Sequence, residues 1–177
     1  MHSPTLLLDS PAIQRTISRM AHEIAERNAA SLKVVIVGVQ RGGVHLAQRL
    51  ADSLSKLWGH PVPVGCIDVG MHRDDLHQRV SPNISPTSFP FDVNGKTVVL
   101  VDDVLFSGRT TRAAMDALND FGRPQAIQLA VLVDRGHREL PIKADFVGKN
   151  TPTSLLERIN VRLKEDGGEE AVYIEKL

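Results

Sequence analysis

Several large classes of protein are excluded by what this chain lacks. A single cysteine, Cys66, in 177 residues leaves no intramolecular disulfide and no cysteine-rich metal site. Its apolar neighbours in VPVGCIDVG predict a buried, inert thiol. Net charge is also missing: 21 Lys and Arg balance 21 Asp and Glu, so nothing global advertises nucleic acid and any such site must be a local patch. Long apolar runs are absent too. The N-terminal MHSPTLLLDS holds only a short leucine run, far below the ~20 apolar residues of a membrane span, and the expectation is a cytoplasmic protein with no membrane partner. Repeats and low-complexity tracts are not found. A chain of 177 residues suits one domain covering 1–177, with room for a real core.

What is present centres on one stretch, VVLVDDVLFSGRT, residues 98–110. A continuous apolar run predicts a strand buried on both faces, and it is expected to stop at Asp102 and Asp103. Open α/β sheets bind ligands at the C-terminal ends of their strands, so two carboxylates there make a candidate site. Ser107, Gly108, Arg109 and Thr110 follow, offering backbone N–H groups, hydroxyls and a guanidinium at a helix start, which suits an anion. The ligand therefore needs two different ends. A sugar phosphate has them: vicinal ribose hydroxyls donate to carboxylates, and a phosphate accepts from the loop. The helix dipole adds ~0.3 to 1 kcal/mol, with the aligned N–H groups supplying more.

The rest of the chain alternates strand and helix. Ser10 as cap, Pro11 in the first turn and Ile13, Ile17, Met20 and Ile24 on one face predict a helix over 10–29, with Arg15, Arg19 and His22 in solvent on the other. VVIVGV (34–39) reads as a buried strand, and Val44, Ala47, Leu50, Ala51, Leu54 and Leu57 as a second helix leading to a strand in PVPVGCIDV. A third helix starts near Thr110 with Gly122 as its stop, and AIQLAVLV is the next strand. RINVRLKEDGGEEAVYIEKL predicts a terminal hairpin turning at Asp166 to Gly168. Residues 71–94, rich in proline and lacking periodicity, are expected to form a flexible hood. The fold class is α/β: a mostly parallel sheet with helices on both faces, a hood and a C-terminal hairpin.

Paired acids at a strand end also occur in phosphoacceptor receiver domains. VVLVDDVLFSGRT, however, resembles the binding motif for phosphoribosyl pyrophosphate (PRPP) of type I phosphoribosyltransferases. AHEIAERN, VGCIDVGMHRDDL and GRPQAIQLAVLVDRGHRELPIKADFVGKNTPTS resemble the PyrR family, uracil phosphoribosyltransferases that also bind pyrimidine-operon leader RNA. The resemblance runs from about Leu8 to Ser154. It implies that uracil and PRPP give UMP and diphosphate. Asp102 and Asp103 would contact the ribose, Phe106 to Thr110 (with Ser107, Gly108 and Arg109) would hold the 5′-phosphate, and Mg²⁺ would be carried mainly by PRPP.

The diphosphate turn would fall on Arg41, Gly42 and Gly43, where the family commonly reads Thr-Arg-Gly, and Arg73 would close over the same charge. Phe146 and Val147 are implied contacts to uracil. Ser18, Arg19, His137, Arg138 and Lys143 match an RNA-binding surface formed by paired subunits, with Lys143 standing where the family usually has Arg. Partners would thus include leader RNA, nucleotides of the UMP and UTP type as effectors, and a second or further copy of the chain. Two other readings remain: a regulator that senses nucleotide or PRPP with weak catalysis, and a purine phosphoribosyltransferase. Purine-using relatives often carry an acid where this chain has Phe106, and a phenyl ring cannot act as general base.

Overall fold

The computed structural model describes residues 3–29, 31–72 and 87–177. Strand β1 (Thr5–Asp9) leads directly into helix α1 (Ser10–Arg27). The cap is Asp9, not Ser10: the Asp9 carboxylate accepts the Ala12 N–H at 2.9 Å, while the Ser10 hydroxyl donates to Glu170 at 2.6 Å. The predicted stripe is buried, Ile13, Ile17, Met20 and Ile24 together with Ala21. Strand β2 (Val34–Val39) is buried throughout, and helix α2 (Val44–Trp58) ends at Gly59, whose φ of 73° few other residues adopt. Strands β3 (Val64–Ile67) and β4 (Thr97–Leu105), helix α3 (Arg109–Leu118) and strands β5 (Ala126–Asp134), β6 (Phe146–Asn150), β7 (Glu157–Arg162) and β8 (Ala171–Lys176) follow.

Five strands form a sheet in the order β3-β2-β4-β5-β6, every pairing parallel. Val34, Ile36, Val99, Val101, Ala130 and Leu132 face α1 and α2 in one core, and Val35, Val37, Val39, Val98, Leu100 and Val131 face α3 in the other. Alternation along each strand feeds both cores, so near-continuous apolar runs are needed. The terminal hairpin is β7 with β8, and β1 joins it to make a three-stranded antiparallel sheet, β1-β8-β7.

Further expectations change. Strand β4 does not stop at the acidic pair. Asp102 pairs with Val131, Val104 with Val133 and Leu105 with Asp134, because β5 continues alongside and offers backbone partners whatever the side chains are. Helix α3 ends at Leu118, a turn before Gly122. Of the segment 71–94, residues 87–94 are docked: Ser88 and Cys66 exchange backbone hydrogen bonds of 2.9 Å, Asp68 N–H donates to the Thr87 hydroxyl at 3.0 Å, and Phe89, Phe91 and buried Val93 pack on the α3-side core. Cys66 is half-buried and its sulfur accepts from the Gln40 amide at 3.3 Å.

Candidate active site

Because β4 keeps its alternation through the acidic pair, the two carboxylates leave on opposite faces of the sheet. Asp102 is buried and its Oδ1 accepts the Asp103 N–H at 2.9 Å. Asp103 is half-exposed, and its Oδ1 accepts the Val104 N–H at 2.7 Å. The glycine turn between β2 and α2 packs against it so closely that a Cβ on Gly42 would lie 2.3 Å from the Asp103 carboxylate. A Cβ on Gly43 would lie 2.0 Å from the Val101 carbonyl. Only glycine lets this backbone lie against the strand end. The Gln40–Arg41 peptide in this turn is cis.

A cavity of about 170 Å³ opens here, lined by Arg41, Gly42, His45, Asp103, Val161, Leu163 and Asp166. The small antiparallel sheet thus supplies one wall of the space in front of the acidic pair, the part expected of residues 71–94. His45, in the first turn of α2 and 3.7 Å from the Asp166 carboxylate, has no signal in the sequence, since its pairing depends on the hairpin folding back. Arg73 lies outside the described residues.

On the far side of the acidic pair, the turn Phe106–Gly108 leads into α3. Gly108 has φ 92°, and a Cβ there would meet Ile142 at 3.0 Å. Arg109 N–H donates to the Ser107 hydroxyl at 3.3 Å. Thr110 stands half-buried in the first turn of the helix. The segment after β5 grips this turn from behind. Ser107 carbonyl accepts the N–H groups of Glu139 and Leu140 at 2.9 and 3.1 Å, Leu105 carbonyl that of Arg135 at 3.0 Å, and Arg109 pairs with Glu139 at 2.8 Å. Arg135 is buried, with its guanidinium carbon 4.2 Å from the centre of the Phe106 ring. Desolvation pulls its pKa below the ordinary value, against the field of Glu157.

Other sequence-based assignments sit differently. Phe146 is buried in the α1-side core with the Arg27 guanidinium 5.7 Å from its ring, and Val147 packs on the α3-side core. Phe146 is therefore a core residue and offers no open face to a ligand. Phe106 in the turn after β4 is 37% exposed, and Leu155 and Leu156, between β6 and β7, are 64% and 74% exposed. Two leucines in a turn carry no periodicity, so the sequence gives no sign of them.

Arg138 is not an outward-facing cation. Its Nε donates to the Ile142 carbonyl at 2.9 Å, Nη1 to the Phe106 carbonyl at 2.8 Å and Nη2 to the Asp134 carboxylate at 2.5 Å. Arg19 is exposed, as predicted, and also pairs with Glu23 at 2.7 Å and donates to the carbonyls of Val147 and Gly148 on the edge strand β6. His137, at φ 64°, donates to the Thr153 carbonyl at 2.5 Å. Ser18 and Lys143 are exposed.

A parallel α/β sheet whose central strand carries an acidic pair between two glycine turns defines a protein built to hold a ligand with anionic ends. Residues 5–163 match the family model described as phosphoribosyl transferase domain. Relatives named "Bifunctional protein PyrR" match nearly end to end. That of Roseiflexus sp. is 59% identical over 170 residues, covering 95% of this chain and 93% of the relative. That of Listeria welshimeri is 51% identical over 181 residues, covering 99% of each. The chain belongs to the phosphoribosyl transferase domain family and, within it, to the bifunctional PyrR proteins. Among solved structures, a hypoxanthine-guanine phosphoribosyltransferase from Bacillus anthracis covers 100% of both chains at a TM-score of 0.75 and 17% identity, a likeness of fold. No helix among the described residues is long and apolar enough to cross a membrane.

Proposed function

We propose that the chain transfers the phosphoribosyl group of PRPP to uracil, giving UMP and diphosphate. The observation that carries this reading is the contact of Gly42 with the Asp103 carboxylate, which brings one anion-binding turn to the acidic pair while the other follows it on the same strand. The 5′-phosphate takes the turn Phe106–Thr110, the diphosphate takes Arg41, Gly42 and Gly43, and the ribose hydroxyls donate to Asp102 and Asp103. Uracil N1 attacks C1′, the bond from C1′ to the diphosphate oxygen breaks, and the proton of N1 passes to water. The two carboxylates offset positive charge that develops on the sugar ring.

Mg²⁺ would be carried mainly by PRPP, and Asp103, beside the Gly42 turn, is a carboxylate that could face it. When bound, it neutralises the leaving diphosphate. Uracil takes backbone contacts at Phe146 and Val147, since the Phe146 ring itself is buried in the core and is not available for stacking. Phe106 supplies no acid or base, and this favours a pyrimidine over a purine.

The second activity of this reading is regulation of pyrimidine genes through leader RNA, with UMP or UTP as effector and a dimer or larger assembly as the working form. The exposed Ser18 and Lys143 favour it, and Lys143 is the residue on which to test it. Diphosphate release is measured with PRPP, Mg²⁺ and each of uracil, cytosine, orotate, hypoxanthine and guanine. Uracil alone should give turnover, and turnover with a purine would overturn the assignment. Lys143→Ala should weaken leader-RNA binding and reduce its salt slope by about 0.7 to 0.9 for each phosphate no longer neutralised, with uracil turnover unchanged. Equal, weak binding of leader and unrelated RNA by both proteins would remove the regulator.

A further inference from the structure

The cavity beside Asp103 is lined by two side chains able to carry positive charge, Arg41 and His45, and only Arg41 belongs to the turn assigned above to the diphosphate. His45 stands two residues past Gly43, and the backbone around them is one bonded unit. Gly43 N–H donates to the Val39 carbonyl at 2.9 Å, Val44 N–H to the Arg41 carbonyl at 3.2 Å, and Ala47 N–H to the Gly43 carbonyl at 2.9 Å. The imidazole is therefore carried at a fixed remove from the glycine turn, on the wall of the same cavity.

The ring is not committed elsewhere. Nε2 lies 3.7 Å from Asp166 Oδ1, too far for a hydrogen bond, and its charge reaches Glu165 only as a field. Among the described residues the imidazole makes no hydrogen bond. Holding the turn Lys164–Asp166 against α2 does not fall to it either, because Arg49, one helical turn further along, grips Glu165 with two hydrogen bonds of 2.8 and 2.7 Å. Asp166 is fixed by its own turn, where Oδ2 accepts the Leu163 N–H at 3.3 Å and Oδ1 is left facing the ring. A donor with unspent capacity thus lines a cavity whose floor is a turn suited to an anion, and the acid behind it keeps the ring there.

We propose that His45 is a binding residue for the leaving diphosphate: its ring N–H donates to a diphosphate oxygen held at Arg41, Gly42 and Gly43, with Asp166 as the residue that positions the ring. The inference rests on the assignment of that turn to the diphosphate. Its effect belongs to the diphosphate end of PRPP and not to the sugar phosphate, which takes the turn after β4.

His45→Phe keeps a ring and removes the donors. By calorimetry with Mg²⁺, its Kd for inorganic diphosphate should rise about tenfold, as for the loss of one hydrogen bond to a charged group, and the KM for PRPP should rise with it. The affinity for ribose 5-phosphate, which lacks the diphosphate, should stay within about twofold. Asp166→Asn keeps an acceptor for the Leu163 N–H and removes the competing charge, so it should bind diphosphate at least as tightly as wild type. A histidine that only latches the hairpin to α2 would make both variants lose diphosphate affinity together, in step with Tm.

Should the phenylalanine variant not fold, His45→Ala decides. Unchanged diphosphate affinity in the His45 variant, or an equal loss in Asp166→Asn, would overturn the inference. Loss of diphosphate binding in Gly42→Ala with none in His45→Phe would leave the turn standing and remove His45 alone. A wild-type protein that binds ribose 5-phosphate but not diphosphate would instead remove the assignment of the turn, and the inference with it.

Discussion

Two glycines in the candidate site are constrained for different reasons, and their substitution should fail differently. Gly42→Ala sets a methyl group against the Asp103 carboxylate, 2.3 Å from where its Cβ would stand, so the diphosphate turn and the acid must part. Its kcat should fall at least ~10-fold, as for a displaced reacting group. Gly108→Val meets both an unfavourable φ of 92° and the Ile142 side chain at 3.0 Å. Here the KM for PRPP should rise and Tm should drop. Steady-state kinetics on both variants checks the pair, and matching profiles would show that the two turns do not hold separate phosphate groups. The acids and the glycines are legible in the sequence because their chemistry is local. The place of Phe146 in the core is not, because it is set by α1 crossing β6, a contact between residues far apart in the chain.

At the level of elements, the segment Asp134–Ile142 acts as a cradle for the turn after β4, and Arg138 is its most heavily bonded side chain. Arg138→Ala should cost about 2 kcal/mol, the range of a broken hydrogen bond to a charged group. It should also raise the KM for PRPP by loosening Phe106. Urea unfolding and PRPP titration of this variant beside Lys143→Ala test the claim, with a loss of stability expected only for Arg138→Ala. RGHREL reads as a basic patch because sequence counts charges and cannot show where a side chain is already engaged.

Legibility varies in the same way among the strands. The runs VVIVGV and VVLV announce themselves by being buried on both faces. β1 and β6 do not: they are short edge strands with exposed positions, and neither carries an apolar run long enough to stand out. The passage of β4 beyond Asp103 is hidden for another reason, since backbone pairing leaves no mark on side-chain pattern.

The molecule as a whole is two sheets, and one buried cluster ties them together. Arg49 on α2 reaches Glu165 at 2.7 Å and Glu170 at 2.5 Å beyond β7, and the Glu170 side chain is 1% exposed. Burial opposes ionisation of Glu170, yet the Ser10 hydroxyl and the Arg49 guanidinium outweigh it and hold its carboxyl below the ordinary 4.5. The hydrogen bond from Arg49 does the same to Glu165.

Carboxyls depressed in the folded state add stability that is fully present above 4.5 and is lost as pH falls through their lower folded values. Arg49→Met leaves Glu170 buried without its counter-ion, at a cost of about 3 kcal/mol. The gap in Tm between wild type and variant should be widest near neutral pH and narrow below 4.5, as calorimetric scans across that range would register. A gap independent of pH would mean that Arg49 acts through packing alone.

The pairing of β1 with β8 also bears on how the chain comes off the ribosome. Ser10 and Glu170, which bond across that junction, are 160 positions apart. At about 5 to 20 residues per second, the first strand waits on the order of ten seconds for a partner so much further along the chain. During that interval the parallel sheet and the glycine turns can assemble on the nascent chain, while the wall over Asp103 cannot. A newborn molecule therefore has its acidic pair in place before it has a closed pocket, and gains the second only when β8 has cleared the exit tunnel.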